Sequence, residues 1–220
     1  MSPKSYDEYC PVARALDVLG ERWTLLIVRD LLMGPKRYTD LRDGLPRIAT
    51  DLLTARLRTL ESSGFVERRE LPRPAPATVY ALTDAGCGLG PAVLALGKVG
   101  LPLLGAPQSA QSVRAERLVL ALQATFCRTA FPGLAEAYQL QIDGEPYAVA
   151  VAGETVETRP GNAADPAVSL TTDAATLVEL LRGDVAPAGA IARGAVTLEG
   201  DRAAFERFAE AFAYPASRSA

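Results

Sequence analysis

No histidine occurs among the 220 residues. Ser-His-Asp and Cys-His nucleophile chemistry is thereby excluded, as is every histidine-ligated metal site. The three cysteines, Cys10, Cys87 and Cys127, stand far apart. They form neither a metal-gripping CxxC pair nor an even-numbered disulfide framework, which fits a reducing cytoplasm. Glu136, Asp143 and Glu145 make no spaced carboxylate pair on one element. Gly97-Lys98 has no glycine five residues before Gly97 and is followed by Val99, so no phosphate-cradling loop is present. The expectation is a protein that is not an enzyme, holds no metal or cofactor, and works by binding.

Charge says what it would bind. The net charge is −3, from 23 Lys+Arg against 26 Asp+Glu. Before Pro107 the count is 14 basic and 12 acidic residues, and after it 9 basic and 14 acidic. Between Arg22 and Arg73 there are 11 basic and 7 acidic residues. A basic segment inside an acidic chain is the electrostatic footprint of a nucleic-acid contact, although a solvated charged surface has the same composition.

Residues Met1 to Glu8 lack the basic-then-apolar order of a secretory signal. The longest apolar run, Leu89 to Ala106, is interrupted by Pro91, Lys98 and Pro102, which makes a poor span, so no membrane partner is expected. The small and polar stretch Gly105 to Ser112 reads as a linker. It divides the chain into domains at 1–107 and 108–220.

The elements of the first half follow from periodicity and punctuation. Cys10-Pro11 opens a helix through Val12, Leu16 and Leu19 that Gly20 stops; a second runs from Arg22 to Gly34. Tyr38 to Gly44 predicts a third, and about Ala49 to Ser63 a fourth, ended by Gly64. Two β-rich runs, Phe65 to Leu71 and Thr78 to Leu82, flank a proline-rich tip, and a long helix follows from Asp84 to about Leu104. Helix, helix, short turn, helix and hairpin is the order of a winged helix-turn-helix.

On the fourth helix, Ala49, Leu52, Leu53, Arg56, Leu57 and Leu60 share one side, and Asp51, Thr54 and Arg58 cluster opposite. In a major groove Arg58 could approach guanine or phosphate, Thr54 a base edge or phosphate, and Asp51 a cytosine amine. Arg56 lies near the apolar flank, where a structural salt bridge and a phosphate contact are both open readings. Lys36, Arg37, Tyr38 and Arg47 are placed to anchor phosphates, and Arg73 at the hairpin tip to reach a minor groove. Arg68 and Arg69 are consecutive on a strand and face opposite sides, so at most one can point at DNA.

These blocks, Cys10-Pro11-Val12 with Ala15 to Gly20, Arg22 to Ile27, Tyr38 to Leu41, Leu53 to Glu61, Gly64 to Arg68 and Tyr80 to Gly86, resemble the HxlR family of bacterial winged-helix transcription regulators over about residues 8 to 104. The resemblance implies a homodimer that pairs through terminal helices and binds an inverted repeat in double-stranded DNA. It also implies that a cysteine at the position of Cys10 can sense oxidants. At a helix N-terminus a thiol is activated by the dipole; Asp7 and Glu8 oppose that, and a small residue packed beside Trp23 is the alternative. The family pattern has a Ser cap on the recognition helix and a basic residue two positions on; here Ala49 and Asp51 stand there, and Thr50 is the expected replacement cap. Asp51 on the reading face implies a different operator or weaker phosphate attraction. Thr78 replaces an apolar residue of the second wing strand, which bears on wing packing.

In the second half Val113 to about Thr129 predicts a helix. Alternating runs follow at Tyr138–Ile142, Tyr147–Val151, Thr155–Arg159, Val168–Thr171 and Ala195–Glu199, with a hairpin turn at Asp143-Gly144. Asp173 and Asp201 cap two further helices, the first closed by Gly183. An antiparallel sheet covered by helices gives an α+β domain. Tyr138 to Gly144, Asp165 to Asp173, Leu180 to Gly183 and Gly194 to Asp201 resemble the sterol-carrier-protein-type fold over about residues 113 to 214. That resemblance implies an apolar tunnel lined by Leu177, Leu181, Phe205, Phe208 and Phe212. The same phenylalanines at helical spacing could instead simply fill a core.

The sequence thus reads as a mainly α winged helix-turn-helix domain joined to an α+β domain. The expected role is a cytoplasmic, dimeric, DNA-binding repressor with an apolar small-molecule effector. A redox-responsive regulator working through Cys10 with a purely structural C-terminal domain, and a lipid-binding or lipid-modifying protein with vestigial DNA binding, are the alternatives.

Overall fold

A computed structural model of the chain describes residues 5–71, 76–104, 113–127 and 129–214. The proline-rich hairpin tip with Arg73, and the Gly105 to Ser112 stretch, lie outside the described residues. Contacts gather the chain into two units, Met1–Val93 and Leu94–Ala220.

The first unit contains α1 (Pro11–Leu19), α2 (Thr24–Leu31), α3 (Tyr38–Gly44), α4 (Thr50–Ser62), the antiparallel hairpin of β1 (Val66–Leu71) and β2 (Ala77–Leu82), and α5 (Asp84–Cys87). α6 (Gly90–Gly100) begins in it. Pro11 at the first helical position of α1 lacks the N–H that would have no intrahelical partner there, which is why the helix starts at that residue. The second helix starts two residues later than the sequence suggests, because Trp23 sits in the left-handed region with φ of 80°.

Ile27, Val28, Leu41, Leu53, Leu57 and Leu60 form a nearly water-free core joined by Val66 and Leu82. Each such side chain contributes roughly 1.5–3 kcal/mol by leaving water, so this core is what holds α4 in place. Lys36 and Tyr80 exchange backbone hydrogen bonds of 2.9 and 2.8 Å, tying the entry of α3 to the wing.

The single long helix expected from Asp84 to about Leu104 is three pieces: α5, α6 and a 3-10 turn at Leu101–Leu103. At Gly86 a Cβ would collide with the carbonyl oxygen of Phe65. The Thr83 hydroxyl accepts from the Gly86 N–H and donates to the Gly64 carbonyl. By length and composition Asp84–Leu103 is the one helical stretch among the described residues that could cross a membrane. Leu96, Val99 and Leu103 on it are largely exposed.

The second unit contains α7 (Ala115–Thr125), then β3 (Ala135–Ile142), β4 (Glu145–Ala152), β5 (Thr155–Pro160), β6 (Val168–Thr172), α8 (Ala174–Arg182), α9 (Pro187–Ala192), β7 (Thr197–Gly200) and α10 (Arg202–Ala211). The sheet order is β5-β4-β3-β6-β7. The expectation of a wholly antiparallel sheet is corrected: β3 and β6 pair in parallel, so the sheet is mixed.

The residues between β5 and β6 explain the mixed sheet. The Ala163 N–H donates to the Gln139 side chain and the Ala167 N–H to the Ala137 carbonyl. The segment therefore returns across the sheet over β3 before starting β6 in the same direction. Small residues at Ala137, Ala148 and Ala150 line the face there, together with Ala163 and Ala164. On the other face Tyr138, Leu140, Ile142, Val149, Val168 and Leu170 alternate inward. The caps fall where the sequence places them: the Asp173 carboxylate accepts from the Thr176 N–H and that of Asp201 from the Ala203 N–H. Gly183 closes α8 at φ of 74°.

Candidate nucleic-acid interface

The recognition helix α4 is held along its flanks by three of the candidate side chains. The Tyr38 hydroxyl donates to the Thr50 carbonyl at 3.1 Å and lies 3.2 Å from the Thr54 hydroxyl. Thr54 also donates to the Thr50 carbonyl at 3.0 Å. The Arg56 guanidinium pairs with the Glu21 carboxylate at 2.7 Å and donates to the Arg22 carbonyl. Of the two readings open for Arg56, the structure therefore presents the structural salt bridge. Glu21, its partner, lies 35 residues away in the chain, a separation that no local pattern reveals.

The remaining candidates face solvent. Arg37, Arg47, Thr50, Asp51 and Arg58 are exposed. Among the described residues no ion pair engages Arg37, Arg47, Asp51 or Arg58, so three cations stand unneutralised at the entry of α3, ahead of α4 and on α4. The Arg37 N–H donates to the Asp40 carboxylate at 2.9 Å, which satisfies one of the orphan donors of α3. Lys36 is half-buried beside the wing bridge.

The expected cap is corrected. Ala49, not Thr50, is the N-cap of α4, and its side chain makes no cap bond. The first-turn N–H groups of α4 therefore lack a side-chain acceptor at that position, which suits an approaching phosphate.

Arg68 and Arg69, on the first wing strand, are partnered within the fold. Arg68 pairs with Glu61 of α4 at 2.9 Å and lies over the Tyr80 ring at 5.3 Å. Its electrostatic interaction with Tyr80, and then its bond to the Glu61 carboxylate, raise its pKa. Arg69 pairs with Glu67 at 2.5 Å. Cys10 is the N-cap residue of α1 and partly exposed, and all three cysteines are free thiols.

In the second unit Leu177, Leu181, Phe205, Phe208 and Phe212 are all buried, each at 1% exposure or less. Phe208 and Phe212 lie 4.9 Å apart, Tyr138 and Phe208 5.2 Å, and Phe126 and Phe212 5.5 Å. These spacings are those of packed aromatic pairs. Tyr138 and Phe126, which the sequence reading did not attach to this cluster, are part of it. The Tyr138 hydroxyl donates to the Glu136 carboxylate at 2.6 Å, and Arg207 bridges Glu136 to Asp201. Burial, and then the bond to Glu136, push the Tyr138 hydroxyl far above its ordinary range. The backbone N–H of Ala203, ahead of Arg207, holds Asp201 below the usual carboxylate range. Arg207 is held charged chiefly by its bond to Glu136.

Comparison with known proteins matches both halves. Residues 18–105 fit the model of the HxlR-like helix-turn-helix family. Over 85 residues the chain is 39% identical to the HTH-type transcriptional regulator YvaP of Bacillus subtilis, a stretch covering 38% of this chain and 79% of that one. The chain belongs to the HxlR-like helix-turn-helix family.

The HTH-type transcriptional regulator sll1512 of Synechocystis is 37% identical to this chain over 91 residues, 41% of this chain and 67% of that one. Among solved structures, the reduced form of the regulator YodB from B. subtilis is 30% identical, with a TM-score of 0.39 over 46% of this chain and 100% of that one. Beyond the part shared with these HxlR-like relatives, residues 120–213 fit the SCP-2 sterol transfer family.

Proposed function

We propose that this HxlR-like protein is a cytoplasmic transcriptional regulator that binds double-stranded DNA as a homodimer and represses from an inverted-repeat operator. The observation that carries the reading is the division of labour around α4. Tyr38, Thr54 and Arg56 fix the helix along its flanks, while Arg37, Arg47 and Arg58 remain exposed and without an ion pair among the described residues. Phosphate neutralisation by such cations makes binding fall steeply with salt. The exposed apolar residues Tyr9, Val12 and Leu16 on the N-terminal segment and α1, and Leu96 and Val99 on α6, are the candidate pairing surfaces. Domains at 1–107 and 108–220 remain the working division for truncation.

Selection of bound fragments from genomic DNA, followed by binding at several salt concentrations, tests the reading. A selected inverted repeat bound with a strong inverse salt dependence supports it. Recovery of no sequence, or salt-independent binding, overturns it.

For the C-terminal domain two readings have support. The family match favours an apolar effector whose preferential binding to one dimer state shifts DNA affinity. The enclosed ring cluster favours a packed structural module in which Phe205, Phe208 and Phe212 are core. Organic extraction of the purified protein and thermal shifts with fatty acids and sterols separate them: a bound molecule supports the effector, and neither bound molecule nor shift supports the module.

A further inference from the structure

Resting on the DNA-binding reading above, we infer that Ala55 is a specificity-determining residue whose methyl group reads a thymine methyl in the major groove, between base pairs met by Asp51 and Arg58. Its place follows from what the rest of α4 is doing. Thr54 bonds to Tyr38 and the Thr50 carbonyl, Arg56 to Glu21, and Thr59 donates to the Ala55 carbonyl at 3.1 Å. Leu53, Leu57 and Leu60 are in the core. Past its first residue, Thr50, which is exposed on another side, what α4 leaves exposed along its length is Asp51, Ala55, Arg58 and Ser62.

At 3.6 residues per turn these four lie within about 60° of one another, so they form one narrow stripe. Thr54, which the sequence sets beside Asp51 and Arg58, flanks this stripe but is half-buried and bonded to Tyr38 and the Thr50 carbonyl. Along the axis Ala55 is about 6 Å from Asp51 and about 4.5 Å from Arg58. Base pairs rise by about 3.4 Å, so three successive exposed side chains meet three different base pairs.

The chemistry of the stripe is a short acceptor, a methyl group and a long donor. A carboxylate accepts from the cytosine amine, a guanidinium donates to guanine, and a small apolar side chain contacts the C5 methyl of thymine. Ala55 also carries nothing beyond Cβ, so the middle of the helix can approach the groove floor closely enough for that contact.

The test uses the full chain and the operator recovered by selection, with each thymine replaced in turn by deoxyuridine, which removes only the methyl. One thymine per half-site should show a loss of about fourfold, the worth of one buried methyl group. In Ala55→Gly that sensitivity should disappear while every other position responds as before. Because glycine also weakens a helix, Ala55→Gln serves as the second variant: it should move the preference at that base pair toward adenine, which a glutamine side chain recognises bidentately. Uniform indifference to deoxyuridine, or a pattern unchanged in both variants, overturns the assignment of Ala55 and leaves DNA binding standing. Failure to bind any DNA in a salt-sensitive way overturns both.

Discussion

In the helix-turn-helix unit Arg37, Arg47 and Arg58 stand in solvent above a core of leucine, isoleucine and valine. In the C-terminal unit the corresponding large groups are enclosed: Phe205, Phe208 and Phe212 have no exposed surface, and Arg207, Arg193 and Arg182 are all ion-paired. The first unit leaves these three arginines free for a partner. The second pairs its three named arginines within the fold and gathers its aromatic surface around one centre. The difference teaches that the two halves respond to different perturbations, and that each can be attacked without the other.

The largest effect should come from Phe208→Ala. Removing a fully buried ring that packs on Tyr138 and Phe212 costs about 3–5 kcal/mol. Unfolding followed by far-UV circular dichroism should show a destabilised C-terminal unit. The fluorescence of Trp23, the one tryptophan of the chain, reports the other unit and should keep its own midpoint. Equal shifts in both signals would dissolve the contrast between the units.

Next in size is Arg58→Ala, which should lose about 1–3 kcal/mol of operator binding and relax selectivity at one base pair, whereas Arg37→Ala should weaken all sequences alike and lower the salt slope by about one. Binding titrations with operator and unrelated DNA check both. Matching behaviour of the two variants would erase the distinction between reading and anchoring residues.

Alkaline pH separates the units by chemistry. Burial raises the pKa of Tyr138, Tyr147 and Tyr214 above the ordinary 10.0. A raised folded-state value means that the native state holds its proton longer than the unfolded chain. Their contribution to stability is therefore complete below pH 10 and lost as pH rises through the folded values, by up to about 1.4 kcal/mol per pH unit for each group inside its window. Denaturant unfolding between pH 8 and roughly pH 11 should show this fall in the C-terminal unit, and Tyr138→Phe should lessen it. The smallest effect is that of Glu21→Gln. Loss of this partly exposed ion pair should cost about 0.2–1 kcal/mol of stability, and should lower operator affinity with an unchanged salt slope, because Arg56 acts by holding α4.

Most element boundaries were legible because they rest on local chemistry: Pro11 and Gly20 around α1, Asp173 and Gly183 around α8, and Asp143-Gly144 between β3 and β4. What was not legible depends on distant partners. A period of two marks β3 and β6 as strands but carries no information about direction, so their parallel pairing had to come from the path of the chain over Ala137 and Gln139. The break between α5 and α6 falls at Gly88-Leu89, and the close approach of Gly86 to the Phe65 carbonyl just before it is a contact absent from any helical pattern.

At the interface the exposed roles of Arg37, Arg47 and Arg58 could be inferred from charge and position. That Thr54 and Tyr38 bond to each other, and that Arg56 takes Glu21, required the fold. The left-handed Trp23 likewise shortens α2 in a way that the sequence around Arg22-Trp23 does not announce.

The most direct measurement of the central claim is the salt dependence of operator binding by the wild-type chain beside Arg58→Ala and Phe208→Ala. The account predicts a steep inverse dependence for wild type, a large affinity loss for Arg58→Ala, and a Phe208→Ala protein that still selects the same sequence. Binding that ignores salt, or that depends on Phe208 and not on Arg58, would contradict it.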